Sequence, residues 1–196
     1  MLTLLSLMFS LAAAAALPPK SIVPQTPEQH EFTPPQGAGL LLDRVDKLPL
    51  LIGPTTPQAI LAHRSGFSEA YEKAQIPPDL VKRWEAIEVP CTLVAVFGSW
   101  CSDSYHWVPD LIKLSETPNP YISIHWIGVS RNKSVKRSHW PAQSIPKKTR
   151  KVPTFWLFKP TPGGKTKLAG RIIENPPKID QTMAEALVEL LESALL

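Results

Sequence analysis

Cysteine is scarce in this chain, with two in 196 residues. His30, His63, His125 and His139 are widely scattered, so no metal-ligand spacing forms and neither a metal nor a cofactor is expected. A glycine-rich phosphate loop is also missing, and Gly163–Gly164 reads as a hairpin turn. No apolar run reaches the roughly 18 residues of a membrane-spanning helix. The longest, Leu2 to Leu17, is uncharged and ends in Ala12–Ala16 before Pro18–Pro19. That is the form of a secretory signal peptide cut near Ala14–Ala16 or Leu17, which predicts a periplasmic or extracellular protein. The run lacks a basic start, so an uncleaved anchor competes with this reading. Only the anchor would bring the chain to a membrane. No internal repeat is present.

Acidic residues are absent from Ser130 to Lys151, where eight lysines and arginines gather around His139 and Trp140. A solvated loop that keeps the protein soluble is the first reading of that segment. A docking surface for an acidic protein, anionic lipid or glycan at residues 131–151 is the second. Nucleic acid is not an expected partner of an exported chain. Proline is abundant instead, with 22 residues, roughly twice the usual share. Its distribution divides the chain into a signal or anchor at 1–17 and a proline-rich extended arm at 18–55. A helical extension at 56–88 and a core domain at 89–196 follow. Gly53–Pro54 punctuates the arm, and Thr56 with Pro57 opens a short helix.

The stretch from Val89 to Leu114 organises the rest. Leu93 to Phe97 is a near-continuous apolar run suited to a central strand. Gly98 and Ser99 break it, and Val108, Leu111, Ile112 and Leu114 then recur at helical spacing. Cys101 falls where that helix begins, a position whose free N–H groups and positive dipole end favour a thiolate. Cys91 lies at the other end of the strand. Eight extended residues at about 3.3 Å each separate the two by more than 25 Å, far beyond the roughly 4.4–6.8 Å between bridged Cα atoms. A second strand is expected over Tyr121–Val129, a hairpin over Thr154–Phe158 and Leu168–Ile173, and a closing helix over Asp180–Leu195. The order is β-α-β and then β-β-α, an α/β architecture with a mixed sheet.

That order, the Trp100-Cys101 pair, Val152-Pro153-Thr154 and Gly170-Arg171-Ile172-Ile173 together resemble the thioredoxin fold. The nearest likeness is to a bacterial subgroup with Trp-Cys-x-Asp-Ser or Trp-Cys-x-Asp-Cys sites. Its further segments are matched at Ile127 to Lys133 and Gly170 to Pro176. The likeness covers roughly Ile87 to Leu195. It implies that Cys101 is the nucleophile and that Pro153 is cis beside it. Val152, Thr154 and Trp100 would then meet an extended substrate peptide.

The chain departs from the dithiol pattern at Ser104, which cannot resolve a mixed disulfide. The resemblance therefore implies an exported monothiol protein, exchanging disulfides with protein or small-molecule thiols. The alternative is a non-catalytic module that binds extended peptides. Ser104, three residues after Cys101, is placed to hydrogen-bond the sulfur. Asp103 reads first as favourable charge at a helix start and second as a proton-handling group. His106 is a further candidate relay. Iron–sulfur binding would need Cys-Gly-Phe-Ser where this chain has Cys101-Ser102-Asp103-Ser104.

Overall fold

The computed structural model describes residues 41–142, 146 and 149–195. The signal or anchor at 1–17, most of the arm, and Lys147 and Lys148 of the basic segment lie outside these residues.

The expected central strand is β2, Cys91–Phe97. It lies between two neighbours, parallel to β3 (Ile122–Gly128) and antiparallel to β4 (Thr154–Pro160). Helix α4, Ser102–Ser115, makes the crossover that a parallel pair requires. Strand β5, Thr166–Ile173, returns from β4 as the expected hairpin. Strands β4 and β5 run longer than their apolar stretches because ladder pairing continues through Lys159–Lys167 and Pro160–Thr166.

One strand was not foreseen. Gly53–Thr55, read in the sequence as a break in the arm, forms β1 and pairs antiparallel with β3 at the sheet edge. Pro54 is tolerated there because an edge strand has a side without ladder bonds. The sheet has five strands in the order β1-β3-β2-β4-β5.

The period of two in β2 divides the core. Leu93, Ala95 and Phe97 face a layer containing Phe67, Leu80, Trp84, Leu111, Leu114, Leu187 and Leu191. Those residues come from α2 (Ser65–Lys73), α3 (Pro78–Glu85), α4 and α5 (Met183–Leu195). Val94 and Val96 face the opposite cluster with Ile127, Val129, Val152, Trp156 and Phe158. Among the described residues no α-helix supplies the cover there. Trp140 does, with its ring 6.2 Å from both Trp156 and Phe158, edge-on to each. The basic segment is thus more than a solvated loop, since its middle buries Trp140 and Ala142 in the core.

Helix α1, Pro57–His63, starts as expected: Thr56 Oγ1 accepts from Ala59 N–H, and Pro57 fills the first helical position. Helix α4 continues through Pro109, which lies buried inside it. An interior proline costs about 3 kcal/mol or more, so packing of the helix's apolar face carries it past the break. The closing helix begins at Met183, not Asp180. Asp180 has a positive φ of 59°, and Thr182 and Glu185 form a reciprocal capping box two residues later.

Candidate functional site

The site is assembled from three chain turns at the C-terminal end of β2. The first is Gly98–Cys101. Cys101 N–H donates to Gly98 O at 3.0 Å, and Cys101 O accepts from Tyr105 N–H at 3.1 Å. Cys101 is therefore the N-cap of α4, in extended conformation and with its own side chain free of any capping bond. The second turn carries the Val152–Pro153 peptide bond, which is cis. Cys101 Sγ–H donates to Val152 O at 3.3 Å, so the thiol rests directly on the cis bond. Thr154, at the start of β4, directs its hydroxyl to Lys151 O at 2.6 Å and closes this turn.

The third turn covers Trp100. Its Nε1–H donates to Val129 O at 2.9 Å. The Arg131 guanidinium sits 4.7 Å from its ring centroid and Lys133 Nζ 5.7 Å, both within cation–π range. A Cβ at position 98 would lie 2.7 Å from Trp100 Cε2. Glycine is required there by the indole.

The other expected residues divide. Ser104 is buried, and its Oγ accepts from Gly98 N–H at 3.2 Å. The expected bond from its O–H to the Cys101 sulfur is not formed among the described residues, and the Ser104 oxygen serves as the partner of the buried Gly98 amide. Asp103 lies within electrostatic reach of Lys151, which is paired with Glu174. His106 is exposed and packs its ring 4.1 Å from that of Trp107, away from the sulfur's contacts. Trp107 turns to the β5 end, donating to Asn175 Oδ1 at 3.1 Å.

Residues 41–52, part of the stretch that reads in the sequence as an extended arm with a short strand or turn over the domain surface, form a strap whose partners the sequence does not reveal. Asp43 is buried, and both its oxygens accept from Arg131 at 2.7–3.1 Å. The guanidinium holds the Asp43 carboxyl down to about 2. Arg64 bonds Asp46 Oδ2 at 2.9 Å, Tyr105 Oη at 2.9 Å and Pro49 O at 3.1 Å. Tyr105 in turn donates to Ser99 O at 2.7 Å, while Ser99 Oγ accepts from Leu51 N–H at 3.0 Å. The strap therefore grips the Gly98–Cys101 turn from two sides. The only sequence signal was the cluster of mixed charges around Asp43 and Asp46, which does not reveal partners 88 and 18 residues away.

Cys91 is elsewhere. It is buried at the start of β2, and burial pushes its thiol up to about 12. Both cysteines are free. Among the described residues no cluster of three or more histidine, cysteine, aspartate or glutamate side chains could hold a metal ion.

A cysteine at a helix N-cap, against the carbonyl that precedes a cis proline, agrees with the comparison of the whole sequence. Residues 57–187 match the family model described as thioredoxin. The chain belongs to that family. The match begins at α1 and ends within α5. Two solved structures share the fold. One is a protein of unknown function from Pseudomonas aeruginosa, 18% identical, covering 72% of this chain and 91% of its own with a TM-score of 0.50. The other is an HIV epitope-scaffold, also 18% identical with a TM-score of 0.50, covering 72% of this chain and 92% of its own. No curated protein matches the chain.

Proposed function

We propose that this thioredoxin-family protein is an exported monothiol exchanger that forms mixed disulfides through Cys101. The reading rests on one observation above all: Cys101 Sγ lies 3.3 Å from the carbonyl of the cis Val152–Pro153 unit, at the first turn of α4. In this reading the Cys101 thiol gives its proton to solvent, and the thiolate attacks one sulfur of a partner disulfide. A new S–S bond forms to Cys101, and the partner's other sulfur leaves as a thiolate that takes up a proton. An external thiol then attacks the mixed disulfide and releases the Cys101 thiolate. Ser104 supplies no second sulfur, so resolution comes from outside the chain. Val152, Thr154 and Trp100 frame the groove for the partner's extended backbone. The Trp-Cys-x-Asp-Ser subgroup and export directed by residues 1–17 belong to the same proposal.

A second reading is a peptide-binding module without turnover. It is favoured by the commitment of Ser104 to the Gly98 amide, which leaves the position three after the cysteine with a structural duty.

The test is reaction of the full chain with glutathione disulfide, followed by intact mass. Stoichiometric addition of one glutathione, reversed by excess thiol and absent in Cys101→Ser, supports exchange. Absence of any adduct, with peptide or protein binding that survives Cys101→Ser, would establish the binding module instead. The mass of the mature protein reads out whether residues 1–17 are removed.

A further inference from the structure

The strap that grips the Gly98–Cys101 turn carries a tip whose aliphatic side chains are left exposed among the described residues. Leu41, Leu42, Val45 and Leu48 are 57%, 48%, 69% and 48% exposed, all within eight residues. Among the described residues, the other large exposed apolar side chains, apart from the neighbouring Ile52, are Tyr121 just before β3, Leu168 and Ile173 on β5, and Ile179 in the loop before α5.

The tip is not loose chain. Asp43 N–H donates to Leu48 O at 2.8 Å, Lys47 N–H to Asp43 O at 3.0 Å and Leu50 N–H to Leu41 O at 2.9 Å. The ion pairs of Asp43 with Arg131 and of Asp46 with Arg64 fasten it to the domain. A tight turn thus holds four aliphatic side chains toward solvent, an arrangement that marks an interaction site.

Charge identifies the partner. Both carboxylates of the tip are engaged with arginines, Asp43 buried and Asp46 at the surface, which leaves Arg44 and Lys47 as its exposed charges without an ion pair among the described residues. The basic segment runs alongside. It is fastened near one end by Arg131 on Asp43, and at the other His139 Cε1 lies 3.1 Å from where a Cβ on Gly53 would stand. Lys136 and Arg137 are exposed between those two points, and Lys133 is half-buried over Trp100. An aliphatic tip with a basic collar suits an interface that is apolar within and anionic at its rim.

We propose that the turn 41–48, with the collar at 131–137, docks this domain on the surface of an anionic lipid bilayer. Among the described residues no helix is long and apolar enough to cross a membrane. Arg131 touches both the tip and the Trp100 ring, so docking sets the Cys101 face close to the lipid surface. The inference does not depend on exchange chemistry.

The experiment is hydrogen–deuterium exchange of the full chain with vesicles of phosphatidylcholine alone, or of phosphatidylcholine with phosphatidylglycerol. Protection at 41–52 and 131–139 on the phosphatidylglycerol vesicles, absent on neutral ones and lost as salt is raised, is the expected result. The Val45→Asp/Leu48→Asp double variant should bind those vesicles about tenfold or more weakly, and Cys101→Ser should bind as the unsubstituted chain does. Two further results would overturn docking by the tip. In one, the chain sediments with vesicles while 41–52 exchanges freely, which assigns binding to residues 2–17. In the other, protection grows with protein concentration without lipid, which assigns the patch to a second copy. Equal protection on neutral vesicles would overturn the role of charge. Salt dependence is read on the unsubstituted chain, so the test stands even if the double variant misfolds.

Discussion

Cys91 and Cys101 mark the two ends of the same central strand, and the chain treats them in opposite ways. Cys91 opens β2 and is enclosed by the helical layer, where low polarity disfavours the thiolate. Cys101 stands four residues past the end of β2, after a turn that delivers it to the N-terminus of α4 and to the cis Val152–Pro153 carbonyl. One sulfur is enclosed in packing, and the other stands half-buried at a helix start, where the proposed exchange would use it. What separates them is a four-residue turn and the contacts that hold it, not the strand they share.

The strongest way to break this comparison is to exchange the roles. Cys101→Ser should abolish adduct formation with glutathione disulfide, while Cys91→Ala should leave one adduct per chain, both read by intact mass. An adduct on Cys91 in the folded protein would undo the contrast. Next in size is Ser104→Cys, which places a second thiol in the first turn of α4. The mixed disulfide should then resolve internally, and its steady-state amount should fall about tenfold or more as an intramolecular disulfide appears.

Gly98→Ala probes the turn itself. Its Cβ would meet the Trp100 ring at 2.7 Å, so Trp100 must leave Val129 O. A loss of about 1–3 kcal/mol in chemical denaturation is expected, with a change in Trp fluorescence.

The smallest effects are seen at the pH extremes, with one group at each end of the strand. Burial raises the Cys91 thiol, so its contribution to stability is complete below the unfolded-state value and is lost as pH rises toward about 12. Cys91→Ala should therefore flatten the alkaline fall in thermal stability. Arg131 lowers the Asp43 carboxyl, so the contribution of Asp43 is complete above the ordinary carboxylate range and is lost as pH falls toward about 2. Asp43→Asn should remove that acid step. If the strap grips the turn as described, Asp43→Asn should also speed exchange of the Ser99–Cys101 amides while β2 stays protected.

Much of this was legible in residue order. The apolar run Leu93–Phe97, the helical spacing from Val108 to Leu114 and the Val-Pro-Thr segment located β2, α4 and the cis proline's turn. Local signals sufficed because each element is built from near neighbours. β1 was not legible, since Gly53-Pro54-Thr55 has no strand propensity and is a strand only because β3 offers it an edge. The partner of Ser104 was misread for a related reason. Helical spacing put it near Cys101, but its oxygen also meets the buried amide of Gly98, a partner that only the folded turn brings within reach. The duty of Trp140, in a segment that reads as charged loop, follows from the bare face of Trp156 and Phe158.

Sequence alone determined the order of strands and helices from α1 onward, the single thiol at a helix start and the missing second sulfur, because periodicity and residue chemistry are local properties. Only the tertiary structure decided which carbonyl that thiol rests on, which residues hold its turn and which apolar side chains stay uncovered. Those depend on Arg131 reaching Asp43 and Arg64 reaching Asp46 and Tyr105, contacts between segments that only folding brings together.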